Sequence, residues 1–336
     1  MHNAGLTDLQ VNGYAGVDFN TVDLGSAALD HALHAMLRDG VTCCLPTVIT
    51  APADILAARL AALDRAVAGS RFGRLMVPGY HLEGPFLNPT PGYAGCHPAS
   101  AMVDPDPTLL ARLTAGLMRP VLLLTLAPER PGAETLIRSA RALGMLVAMG
   151  HTAADAAVVE GGAAAGVTLS THLGNALPQP QPKFLNPLMA QLAEDRLSAS
   201  FIADGLHIPA GVLKVLLRAK GLARSVLVTD ATAAAAAPFG LHDFAGMRIE
   251  HRPDGSVRVP GGSGLAGSAL RLDQAVRNLV AWGIATPDAA MALANDRPAA
   301  LLAPVLAQHR ISLPRASVQW SADLRPLRIL SGDVTI

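Results

Sequence analysis

The chain has 336 residues, 51% of them hydrophobic, 15% charged and 4% aromatic, with 26 basic and 26 acidic side chains. That neutral balance, without a basic run, leaves nothing to favour nucleic acid or an anionic membrane surface, and no apolar run reaches the roughly 18 residues of a membrane-spanning helix. The first dozen residues lack the regions of a signal peptide, and the three cysteines, Cys43, Cys44 and Cys96, include an adjacent pair but no spaced framework, so reduced thiols and a cytoplasmic location are expected.

In chain order, Leu6 to Val11 reads as a short strand ending in Asn12-Gly13. Ser26 is the expected cap of an amphipathic helix that runs to Arg38 and stops at Gly40. Residues 41–48 form a second strand, and a helix follows over 52–68. The apolar run Leu75 to Val77 leads into Tyr80, His81 and Leu82, a third strand that ends in Glu83 and breaks at Gly84-Pro85. The Pro/Gly-rich stretch 88–98 is too long for a plain connection. Strands at 121–126, before His151, before His172, at 199–202 and at 225–228 then alternate with helical segments. A second proline-rich loop, 175–187, follows His172.

Eight strands, nearly all separated by helices, predict a (β/α)8 TIM-type barrel rather than an open sheet. Residues 238–262 read as an insertion with a hairpin around Arg252-Pro-Asp-Gly. Helices near 268–282 and 287–302 close the barrel. The expected division is a barrel over 1–305 and a strand-like tail over 306–336, the remnant of a small β domain that is otherwise reduced or absent.

Glu83, His151, His172 and Asp230 each stand at the carboxyl end of an apolar strand. Any one of them alone is more often a structural polar group than a ligand; together they fall on one rim and face one pocket. A carboxylate with two imidazoles suits zinc or another divalent first-row ion. Three protein ligands leave a place for water, whose pKa the ion lowers toward neutrality. Asp230, across the mouth, is then placed to take the proton from water and pass it to a leaving group. His81, two residues before Glu83, points to the same side of its strand and either orients that carboxylate or packs.

Six ordered motifs, His81-Leu-Glu-Gly-Pro-Phe, Gly150-His-Thr, Thr171-His-Leu-Gly-Asn-Ala, Ile202-Ala-Asp-Gly-Leu-His, Val228-Thr-Asp-Ala-Thr-Ala and Leu265-Ala-Gly-Ser-Ala-Leu, resemble the N-acetylglucosamine-6-phosphate deacetylases of the amidohydrolase superfamily. The resemblance spans residues 8 to about 303. It implies release of acetate from N-acetylglucosamine 6-phosphate to leave glucosamine 6-phosphate. It also implies one divalent ion per subunit on Glu83, His151 and His172, with zinc ahead of iron, cobalt or manganese. Asp230 becomes the catalytic acid/base, and His97 polarises the acetyl carbonyl. Substrate contacts carry over to Cys96, His97, Asn175, Ala176, Asp204, His207, Leu265, Ala266 and Gly267, and a homodimer is implied.

The chain departs from that pattern in places. Gln10 and Asn12 occupy the positions of a His-x-His pair that would hold a second metal, which points to a single ion. Lys183 stands nearest to the usual phosphate-binding arginine and brings a point charge without the bidentate fork. The expected partner is therefore a small amino sugar phosphate, with a different or unphosphorylated N-acetylhexosamine as the rival substrate. A non-catalytic binding barrel is the remaining reading, and the intact rim speaks against it.

Overall fold

In the computed structural model, which describes residues 1–262 and 264–336, eight parallel strands form one sheet, and its order follows the chain. They are β1 (Leu6–Val11), β2 (Val41–Ile49), β3 (Tyr80–Glu83), β4 (Val121–Leu126), β5 (Leu146–Met149), β6 (Leu169–Ser170), β7 (Ser198–Ile202) and β8 (Ser225–Val228). The residues of β1 to β6 and β8 are buried throughout, because each strand faces helices on one side and the barrel interior on the other. The two ends of the sheet meet at a short seam, where Val11 bridges Ala231 and the Asp230 amide donates to the Gln10 carbonyl at 2.9 Å. The (β/α)8 barrel read from the sequence is thus the observed architecture.

The interior is partly polar. His81 Nε2 lies 2.8 Å from Thr125 Oγ1, which lies 2.8 Å from Thr171 Oγ1, while His81 Nδ1 lies 3.3 Å from Thr47 Oγ1. His81 therefore belongs to a layer of hydroxyls beneath the mouth and makes no hydrogen bond to the Glu83 carboxylate. Burial pushes its pKa down to about 4, so it packs as a neutral imidazole.

Local chemistry accounts for several element ends that differ from expectation. Gly25, not Ser26, occupies the cap of helix Ser26–Arg38, and Ser26 is its first helical residue. The run at Leu75 belongs to a short helix, Arg71–Met76, because the Ser70 hydroxyl accepts the Gly73 amide at 2.7 Å and starts a turn. The last helical stretch breaks at Asn295 into Pro287–Ala294 and Asp296–Gln308.

The insertion folds as an antiparallel sheet of β9 (Gly240–Phe244), β10 (Met247–His251) and β11 (Val257–Arg258). Its first turn, Ala245-Gly246, holds φ at 52° and 84°, the geometry of a two-residue hairpin that usually announces itself as Asn-Gly. Phe244, Ile249 and Val257 pack with Ile49 and Ala266 against the mouth. The tail strands β12 (Ala316–Trp320), β13 (Pro326–Ser331) and β14 (Val334–Thr335) form a sheet with His2–Asn3, so both chain ends share one small β element. Among the described residues no helix is long and apolar enough to cross a membrane.

Candidate active site

Glu83 is the last residue of β3 and is buried, with its carboxylate at the centre of the mouth. Gly84 makes this placement possible: its φ of 86° turns the chain sharply, and Thr50 lies where a side chain would go. Three imidazoles surround the carboxylate. His172 Nε2 lies 3.0 Å and His151 Nε2 3.4 Å from Oε1, while His97 Nε2 lies 3.6 Å from Oε2. His151, His172 and Asp230 all hold positive φ, at 50°, 30° and 49°. Non-glycine residues rarely adopt that region, and such strain collects where surrounding structure fixes a side chain for a task.

Two of the imidazoles, His151 and His97, are oriented from behind. His151 Nδ1 lies 2.7 Å from the Tyr93 carbonyl, which can only accept, so Nδ1 carries the hydrogen and Nε2 keeps its lone pair. That lone pair is buried, makes no hydrogen bond, and looks toward a carboxylate oxygen. Two acceptors facing each other need a cation between them, and a divalent ion fits this donor set. His97 Nδ1 lies 2.9 Å from the Thr50 hydroxyl. The ligand atoms of Glu83, His97 and His151 lie within 4.8 Å of one another, and His172 joins them through Glu83 Oε1. The group is thus wider than the Glu83, His151 and His172 set expected from sequence: His97 stands inside it.

The charges respond to one another. Burial alone would raise the Glu83 carboxyl, but the His172 imidazole, donating to Oε1 at 3.0 Å, holds it well below the usual carboxylate range. Burial would lower His172, and contact with Glu83 raises it instead. His97, buried and next to His151, is pushed down to about 3.

Asp230 faces this group from beyond β8. Its Oδ1 accepts from Asn12 Nδ2 at 2.7 Å and from Gln10 Nε2 at 3.1 Å. Burial and the negative charge of Glu83 raise its pKa. Gln10 and Asn12, noted in the sequence only as vacated metal positions, are thus the amide donors that hold the aspartate. Their spacing of two residues on one strand, which puts both side chains on one face, was the available signal.

A cavity of about 420 Å³ opens over these groups and is lined by Cys96, His97, Asn175, Ala176, His207, Leu265 and Gly267, all named from the sequence. Gln179 and Phe244 also line it and were not anticipated. Asp204 stands behind His207, accepting from its Nδ1 at 2.6 Å and turning the other ring nitrogen outward. Ala266 is buried beneath the lining. Lys183 does not line the cavity: it is exposed on loop 175–187, with Nζ 5.3 Å above the Phe184 ring. No described lining residue is a lysine or arginine.

Two connections missed at the sequence level stabilise the rim. Glu129, on the loop after β4, accepts from Asn88 Nδ2 at 2.8 Å, from the Ala153 amide at 2.7 Å and from the Thr152 hydroxyl. It ties together three loops around His151. Gly95 passes so close to the His151 ring that a Cβ there would lie 3.0 Å from it. A larger cleft of about 810 Å³ lies outside the barrel mouth between residues 16–25, Arg59 and the insertion sheet, and it shares none of the rim residues.

A parallel eight-stranded barrel whose mouth gathers a buried carboxylate, imidazoles and a facing aspartate defines a hydrolase of the amidohydrolase type. The comparisons with known proteins are specific. The chain is 34% identical over 313 residues to N-acetylglucosamine-6-phosphate deacetylase of Bos taurus, covering 89% of this chain and 73% of the relative. It is 33% identical over 297 residues to N-acetylgalactosamine-6-phosphate deacetylase of Escherichia coli O157:H7, covering 88% and 76%. It superposes with a TM-score of 0.84 and 27% identity on a mutant of the Mycobacterium smegmatis N-acetyl-D-glucosamine-6-phosphate deacetylase in complex with N-acetyl-D-glucosamine-6-phosphate, over 98% of this chain and 85% of that one. No family model matches. The chain belongs to the N-acetylglucosamine-6-phosphate deacetylase family.

Proposed function

We propose that the protein hydrolyses the acetamide of N-acetylglucosamine 6-phosphate to glucosamine 6-phosphate and acetate. The observation that carries this reading is the opposition, across one cavity, of the Glu83 imidazole group and the amide-held Asp230. Glu83, His151 and His172 hold one divalent ion, zinc before iron, cobalt or manganese. That ion supplies Lewis acidity and lowers the pKa of a water molecule.

The chain's own groups do the rest. His97, pushed down to about 3, is neutral at working pH, and in the tautomer that carries its hydrogen on Nε2 it would polarise the acetyl carbonyl. Asp230 takes a proton from the attacking water and delivers it to the amide nitrogen as the C–N bond breaks, so acetate and a free amine leave. Its raised pKa suits both halves of that transfer. Asn175, Ala176, Cys96, Leu265 and Gly267 shape the sugar subsite. The imidazolium form of His207, held through Nδ1 by Asp204, would offer its Nε2 hydrogen to the phosphate. Lys183 reaches the phosphate only by loop movement or from a second copy; exposed Phe184 and Leu185 beside it favour pairing of two copies, which sedimentation reads directly. The free cysteines fit a cytoplasmic enzyme.

A second reading, deacetylation of an unphosphorylated N-acetylhexosamine, is favoured by the absence of lysine and arginine from the described lining, and the likeness to an N-acetylgalactosamine-6-phosphate deacetylase adds that sugar as a candidate. Acetate release from N-acetylglucosamine and N-acetylgalactosamine, each with and without 6-phosphate, decides between them. A kcat/KM highest for N-acetylglucosamine 6-phosphate is the expected result; equal values with and without phosphate would overturn the phosphate requirement.

A further inference from the structure

The seam between β1 and β8 lies directly under Asp230, and it is joined differently from the rest of the barrel. Neighbouring strands elsewhere pair along ladders, whereas here one isolated bridge, Val11 to Ala231, and a few backbone bonds beside it make the join. One level below, the seam is fastened by a side chain. Asp8 is fully buried, and its Oδ2 accepts from the Thr229 hydroxyl at 2.6 Å. Its Oδ1 accepts from the Thr229 and Gln10 amides, both at 3.2 Å.

The two residues it grips are the ones that set Asp230. Thr229 precedes Asp230 in the chain, and Gln10 holds Asp230 twice, through its carbonyl at 2.9 Å and its Nε2 at 3.1 Å. The Thr229 carbonyl is held in turn by the Ser268 hydroxyl at 2.6 Å. The charged or titratable groups that act on Asp8 are Asp230 from beyond β8 and Cys43 and Cys44 from β2; none is cationic.

We propose that Asp8 is a positioning residue: by closing the β1–β8 seam with its carboxylate it fixes the orientation of Asp230 for proton transfer. This rests on the reading of Asp230 as the acid/base. A carboxyl buried without a cation costs stability, and burial pushes this one up to about 7. An apolar side chain would avoid that cost but could not join Thr229 to Gln10. Exceptions of this kind to good packing concentrate at functional sites.

The test compares the native holoenzyme with Asp8→Ala, Thr229→Val and Asp8→Asn. The first opens the clamp, and the second removes its shortest bond while leaving the two amide contacts to Oδ1. The third keeps it, because the asparagine Oδ1 still accepts both amides. Its Nδ2 donates to Thr229 Oγ1, which turns its own hydrogen to the Gln10 carbonyl 3.2 Å away. Asp8→Ala is expected to lower kcat by about ten- to a hundredfold, the scale of a misplacement of ~1 Å, and Thr229→Val by a smaller factor of about three- to tenfold, each with KM within about threefold of native. Asp8→Asn is expected to recover most of the loss.

Crystal structures of the same variants give a readout independent of turnover. The Asp230 contacts to Gln10 and Asn12 should lengthen in Asp8→Ala and Thr229→Val and persist in Asp8→Asn. Asp230 unmoved in Asp8→Ala, or a raised KM at native kcat, overturns the proposal. If Asp8→Ala does not fold, Thr229→Val decides by the same two criteria. If the native protein releases acetate from none of the four sugars, the deacetylase reading fails, and the position of Asp230 in the crystals still decides the role of Asp8.

Discussion

The two sides of the barrel mouth hold their acidic groups by opposite means. On the β3, β5 and β6 side, Glu83 sits among three imidazoles, its pKa is held well down with His172 donating to it, and the donor atoms crowd together as ligands do. On the β1–β8 side, Asp230 is held by two neutral amides, Gln10 and Asn12, and its pKa is raised. Cationic or metal-ready neighbours keep a carboxylate charged. Neutral donors in a buried seam orient a carboxyl while leaving it able to take up and give back a proton. One fold thus prepares two carboxylates for two tasks through their surroundings.

The largest effect should come from breaking the imidazole side. Alanine in place of Glu83, His151 or His172 should strip the ion and abolish hydrolysis, with elemental analysis and acetate release as the paired readouts. Full metal content in His172→Ala would remove that residue from the ligand set. Two tightly held equivalents in the native protein would contradict the single-ion reading of Gln10 and Asn12.

Next in size is the opposite side. Asp230→Asn keeps shape and most hydrogen bonds but cannot move the proton, so kcat should fall by about 10²–10⁴-fold while metal content and KM stay near native. Turnover within a few-fold of native would shift the role to another group, His97 first.

The seam can be weighed by pH. Asp8 has a folded pKa raised from 3.8 to about 7, so between those values the folded state binds more protons than the unfolded chain. Stability contributed by the protonated carboxyl is therefore complete below pH 3.8 and is lost as pH rises through about 7. A difference of that size between the folded and unfolded pKa corresponds to a loss on the order of 4 kcal/mol. Urea denaturation of Asp8→Asn at matched metal content should lack that decline, and a slope equal to native would show that Asp8 is not the group responsible.

The smallest effect is expected at Lys183. An exposed cation contributes about 0.2–1 kcal/mol to an ionic contact, so Lys183→Ala should raise KM for the 6-phosphorylated sugar only a few-fold. The effect should shrink at higher salt and be absent for the unphosphorylated sugar. If native enzyme handles both sugars alike and Lys183→Ala changes neither, the phosphate contact is lost and the broader deacetylase reading stands.

The sequence by itself determined the barrel and the chemical character of its rim. Strand runs such as Val121–Leu126 and Ser225–Val228 are continuous apolar segments whose limits depend on local composition, and they fall where expected. Glu83, His151, His172 and Asp230 were legible because each ends such a run, and the barrel then brings all carboxyl ends to one face. Only the tertiary structure decided what holds them. The Ala245-Gly246 turn carries no Asn-Gly signal, and Arg71–Met76 depends on a serine cap that outweighs an apolar run. Tyr93 orients His151 through a backbone carbonyl, a group every residue possesses and no motif marks. The pairs Asn12 with Asp230 and Asp8 with Thr229 are separated by more than two hundred residues, and closure of the barrel makes them neighbours. Such contacts follow from which strand ends meet, and that is a property of the closed sheet rather than of any stretch of chain.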